Sequence, residues 1–127
     1  MGPAKVLVVD DQRAVALAVR RALVGYEVVV CDTVAAADLV LTEDGFDVVV
    51  SDLDMPDCDG LGWRARVLAR HPAQAERFIF MTGSDPDGPL GRSAAALGAP
   101  RIFKPFTRSA VRDLVHQVLC GLGRLVR

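Results

Sequence analysis

The 127-residue chain has no apolar run near the roughly 20 residues that a membrane-spanning helix needs, so no membrane insertion is expected. Its opening, Met1-Gly2-Pro3-Ala4-Lys5, lacks the charged and then apolar pattern of a signal peptide. No CxxC occurs. Cys31, Cys58 and Cys120 are odd in number and widely spaced, which indicates neither a zinc site nor a disulfide framework. None of them has a metal-like neighbour in sequence. A reducing cytoplasm is the expected location. No sign of charge dominates, because 15 Lys+Arg against 16 Asp+Glu leave a net charge of -1. That removes the basic field that would hold nucleic acid or an acidic membrane directly. Rings are scarce too: one Trp and one Tyr are a poor supply for stacking a flavin.

What is present is a core. Hydrophobic residues make up 51%, which excludes intrinsic disorder, and the length suits a single domain over residues 1–127. The charges are biased in kind. Thirteen of the acids are Asp and three Glu; thirteen of the bases are Arg and two Lys. One of the two lysines is Lys104, directly before Pro105. A compact point charge suits that position better than a planar fork.

Apolar runs alternate with helical periods. Val6–Val9, Val28–Cys31, Val48–Val50, Phe78–Met81 and Arg101–Phe103 predict five strands, and the continuous β-branched runs predict burial on both faces. Helices are predicted over 13–24, from a Thr33 cap to about Leu41, after the loop Leu53–Gly60 as far as roughly Ala69, over about 90–97, and from a Thr107 cap onward. Gly25, Gly45 and Gly98 are read as helix stops. The last helix carries the stripe Val111, Leu114, Val115, Val118, Leu119, Leu122. Five strands alternating with five helices predict an α/β fold with one parallel sheet covered on both faces.

In such a sheet every strand's carboxyl end lies on one edge, where ligands bind. Here those ends carry Asp10-Asp11, Asp52, Thr82 and Lys104. Any one of them alone is a turn former or a strand end; all of them on one edge point to a site. Three crowded carboxylates need a cation. Lys104 is one candidate and Mg²⁺, a seeker of oxygen ligands, is the other. A metal, an ammonium and a hydroxyl around a carboxylate suit phosphoryl transfer, with Asp as the nucleophile. Asp52 is the best candidate, because the third strand is central.

These residues resemble the receiver domain of bacterial two-component response regulators. The matching pieces are Val6 to Asp11, Val48 to Gly60, Phe80-Met81-Thr82-Gly83 and Lys104-Pro105-Phe106. Asp52 lies 41 residues after Asp11, Thr82 a further 30 on, and Lys104 a further 22 on. The resemblance covers about residues 5 to 122. It implies the strand order 2-1-3-4-5. The chain stops just after the fifth helix, so no attached output domain is expected. The resemblance implies Asp52 as phosphoacceptor, taking its phosphoryl group from a histidine kinase or a histidine phosphotransfer protein. Asp10, Asp11, Asp52 and the backbone carbonyl of Asp54 are the implied Mg²⁺ ligands. Thr82 and Lys104 contact the phosphoryl group, and Gly83 leaves it room. Asp54 and Ser84 flank the path of hydrolytic water. The Lys104–Pro105 peptide is often cis in such domains. The partner downstream is not named by the sequence, and the expected state is a monomer or weak dimer. One position departs from the pattern. Arg101 stands where many receivers carry Tyr or Phe, and an arginine does not bury as a ring does. Signal output is then expected through charge on the fourth-helix, fifth-strand, fifth-helix face.

Three rivals compete. Asp52-Leu53-Asp54 reads as the DxD of a haloacid-dehalogenase-type phosphatase, but that family carries the motif on its first strand. A flavodoxin-like carrier would need a Ser/Thr/Gly phosphate loop where Asp10-Asp11-Gln12 stands. A receiver-shaped binding module that is never phosphorylated would not need the full set of acids, hydroxyl and amine.

Overall fold

The computed structural model describes residues 2–83 and 87–121. Its strands are β1 (Lys5–Val9), β2 (Glu27–Cys31), β3 (Val48–Asp52), β4 (Phe78–Thr82) and β5 (Arg101–Phe103). Its helices are α1 (Arg13–Ala22), α2 (Val34–Glu43), α3 (Gly60–Arg70), α4 (Pro72–Ala75), α5 (Pro89–Leu97) and α6 (Arg108–Gly121). The sheet is parallel with the order β2-β1-β3-β4-β5, as expected. Strand alternation divides the core in two. Val6, Val8, Val48, Val50, Ile79 and Met81 pack on α1 and α6 through Ala16, Val19, Val111, Val115 and Leu119. Leu7, Val9, Val49, Phe78 and Phe80 face the other way, onto Val34, Ala37, Trp63, Val67, Ala75 and Ala94. β3 and β4 are buried along their whole length.

The caps follow local chemistry. Thr33 Oγ1 accepts from Ala36 N–H at 3.0 Å, and Thr107 Oγ1 from Ala110 N–H at 3.1 Å. Gly25 and Gly98 take the left-handed φ of +99° and +76° that a non-glycine residue resists. Gly45 does not act as a stop. α2 ends at Glu43, and Asp44 is already extended, its N–H turned back to Val40 O. Phe46 is buried two residues later, and that anchor draws the chain off the helix. α1 ends at Ala22 rather than at residue 24.

Six helices stand among the described residues where five were expected. The extra turn is α4. Proline forces His71 out of helical geometry, which ends α3, yet it also suits the first position of a new turn. This turn seats Gln74 in the interior. Its amide accepts from Phe46 N–H at 2.9 Å and donates to Phe46 O at 3.0 Å, so two buried backbone groups are satisfied by one side chain. His71 is half-buried, and His116 is exposed. Trp63 is fully buried, its ring edge-on to Phe78 at 5.2 Å and its Nε1–H donated to Asp38 at 2.8 Å. Leu122 of the apolar stripe, and Ser84, Asp85 and Pro86 of the turn-rich loop, lie outside the described residues.

Candidate functional site

Register alone puts the site together. Val9 pairs with Ser51, so one step further brings Asp10 beside Asp52. Asp52 pairs with Met81, and Thr82 with Phe103, so Thr82 and Lys104 end their strands at the same level. The sheet edge is tied by Leu53 N–H to Met81 O at 3.0 Å and Lys104 N–H to Thr82 O at 2.8 Å. The Lys104–Pro105 peptide is cis.

Carboxylate oxygens of Asp10, Asp11 and Asp52 all lie within 4.8 Å of one another. Asp10 is fully buried, Asp52 and Thr82 nearly so, and Asp11 is exposed. Lys104 Nζ reaches both buried acids, at 3.2 Å from Asp10 Oδ2 and 3.4 Å from Asp52 Oδ1. Asp10 Oδ1 accepts from Gln12 N–H at 2.8 Å, and Asp52 Oδ1 from Asp54 N–H at 3.4 Å. Burial pushes the Asp52 carboxyl up to about 6 from its ordinary 3.8, with the Asp10 charge adding to it. Lys104 and the Asp54 N–H pull the other way without cancelling it. Two buried acids against one ammonium leave negative charge in excess. All the side-chain donors in the cluster are carboxylate oxygens, which suits a hard cation and not a soft one.

The site opens into a cleft of about 610 Å³ lined by Asp11, Gln12, Asp54, Pro56, Leu90 and their neighbours. Leu53 and Met55 are buried in the core, so the loop after Asp52 is anchored by alternate residues while Asp54 stays exposed. A Cβ on Gly83 would sit 3.4 Å from Lys104 Cδ, so that glycine borders the lysine shaft.

Gly60 has a role its place in the motif did not specify. A Cβ there would lie 2.4 Å from the backbone oxygen of Asp52 and 3.2 Å from Leu53 Cα. Both are backbone atoms at the root of the acceptor. Gly60→Ala is therefore expected to destabilise the fold by about 1–3 kcal/mol through overpacking. Urea unfolding reads this directly, and a variant as stable as the parent would show that the loop gives way freely. Sequence reasoning also missed the Gln12 N–H that holds Asp10. It missed too that His116 and Cys120 are neighbours, which helical spacing could have revealed.

An open parallel sheet whose ligand edge gathers three acids, a threonine and one nearly buried lysine defines a doubly wound α/β domain with an acidic, cation-competent pocket. The chain belongs to the response regulator receiver domain family, whose model matches residues 6–116. It is 35% identical over 123 residues to the response regulator protein FleR of Pseudomonas aeruginosa, covering 93% of this chain and 25% of that protein. It is 31% identical over 122 residues to a probable chemotaxis protein CheY of Rhizobium etli, covering 93% of this chain and 94% of that one. The chain thus spans about a quarter of the first relative and nearly all of the second. The crystal structure of chemotaxis response regulator CheY4 of Vibrio cholerae superposes with a TM-score of 0.76 at 28% identity, over 92% of this chain and 99% of that one. Receiver domains act in two-component signalling with histidine kinases or phosphotransfer proteins. The phosphatase alternative finds no support among these relatives. No helix among the described residues is long and apolar enough to cross a membrane.

Proposed function

We propose that Asp52 accepts a phosphoryl group from a phosphohistidine on a histidine kinase or histidine phosphotransfer protein. A carboxylate oxygen of Asp52 forms the new P–O bond as the P–N bond to the donor imidazole breaks. The departing imidazole nitrogen takes up one proton from solvent, so the products are an aspartyl phosphate and a neutral histidine. Asp10, Asp11, Asp52 and the Asp54 carbonyl would hold Mg²⁺, which when bound supplies positive charge to the phosphoryl oxygens. Lys104 neutralises a further oxygen, and Thr82 donates its hydroxyl to another. The observation that carries this reading is Lys104 Nζ within 3.4 Å of both buried acids. An ammonium so placed already spans the position where phosphoryl charge would develop.

Arg101 supports output by charge rather than by a moving ring. It is half-buried, with its guanidinium 5.5 Å from the centre of the Phe103 ring, which is itself 50% exposed. A downstream partner reading α5, β5 and α6 would meet both side chains. The proposed compartment is the cytoplasm, where the kinase domains of such systems work.

The test is incubation of the protein with a small phosphodonor and Mg²⁺, followed by intact mass. The parent should gain one phosphoryl group and Asp52→Asn none. A parent whose mass stays unchanged would favour the binding module that is never phosphorylated.

A further inference from the structure

We propose that His116 and Cys120 form half of a zinc site that closes with the same pair from a second copy of the chain. The two residues are four apart on α6, and both are exposed. His116 Nε2 lies 3.6 Å from Cys120 Sγ. Zn–S bonds of about 2.3 Å and Zn–N bonds of about 2.0–2.1 Å at a tetrahedral angle set sulfur and nitrogen roughly 3.6 Å apart. The pair thus stands at chelating distance with no backbone change.

The surroundings favour a cation. Asp113 is exposed one turn before His116. Arg112, four residues before His116, has its guanidinium engaged, donating to Ala22 O at 3.1 Å and Val24 O at 2.8 Å. Thiolate and imidazole select zinc over Mg²⁺, so this pair and the aspartate cluster do not compete for one ion. On binding, the Cys120 thiol releases its proton to solvent and the sulfur lone pair bonds the metal; the neutral imidazole gives its Nε2 lone pair.

A structural zinc takes four ligands. No third His, Cys, Asp or Glu joins the pair among the described residues. A two-fold axis at this face of α6 would supply a second His and Cys, giving Cys₂His₂ through an isologous contact. The occupant is a second copy of this chain.

The test is sedimentation of the full chain under a phosphine reductant, which excludes a disulfide, with Zn²⁺ titrated in. The mass should double at about one zinc per two chains and return to that of the monomer with chelator. Co²⁺ should give a thiolate-to-metal charge-transfer band and the strong visible bands of tetrahedral cobalt. His116→Ala and Cys120→Ser, both at exposed positions, should lose these responses, and Asp52→Asn should keep them. Zinc bound one per chain without dimerisation would overturn the proposal. A dimer that ignores chelator, or one that survives both variants, would overturn it equally.

Discussion

Lys104→Ala will slow the phosphorylation of Asp52 by about 10²–10³-fold at saturating Mg²⁺, followed by mass spectrometry against time. The size follows from position. Lys104 Nζ is the one cationic group in contact with both buried acids among the described residues, at 3.2 Å and 3.4 Å. Its side chain is only 17% exposed, so little water screens it. An ammonium held there needs no reorganisation as charge develops on the transferring oxygens. Removing it also leaves Asp10 and Asp52 facing one another, and breaking a buried pair costs about 3–5 kcal/mol. Melting curves at the assay temperature separate lost fold from lost chemistry. Lys104→Arg sharpens the test, because it restores charge as a planar fork in a space shaped for a point. Its rate should fall between parent and alanine. A folded Lys104→Ala protein that phosphorylates at the parent rate would remove Lys104 from the chemistry.

The sheet was legible because burial on both faces leaves a plain signal. Val6–Val9, Val48–Val50 and Phe78–Met81 are unbroken apolar runs, and the acids follow them directly. The difference between Asp10 and Asp11 was not. Strand alternation assigns Asp10 to the row of Val6 and Val8 and Asp11 to the row of Leu7 and Val9, but both rows are buried, so only the structure shows that Asp10 is buried and Asp11 exposed. What stayed hidden depends on contacts distant in sequence. Lys104 meets Asp10 across 94 residues, and no local pattern gives that distance. Pro72 lies past the helix expected to end near Ala69, and only the Phe46 backbone, 28 residues from Gln74, explains why another turn follows. Gly60 reads as the last residue of the loop after the acceptor. Its actual constraint is the Asp52 carbonyl, which only the packed loop brings near.

Asp52→Asn will make the protein more stable at neutral pH in metal-free buffer, although it removes the acceptor. Burial first, and Asp10 second, hold the Asp52 carboxyl near 6 in the folded state against an ordinary 3.8. A raised carboxyl means that the folded state binds the proton more tightly than the unfolded chain does. Stability is then lost as pH rises from about 4, and the loss is complete above about 6. Each tenfold change in proton affinity is worth about 1.4 kcal/mol, so the ionised Asp52 costs roughly 3 kcal/mol at pH 7. Asparagine has the shape of the neutral acid and does not titrate. The melting temperature of the variant should exceed that of the parent by on the order of 10 °C at pH 7. The gap should close as pH falls toward 4. Excess Mg²⁺ should narrow it from the other side, because a ligand of the native carboxylates stabilises the parent by mass action more than the variant. A gap that is the same at pH 4 and pH 7 would mean that the buried charge is not its source.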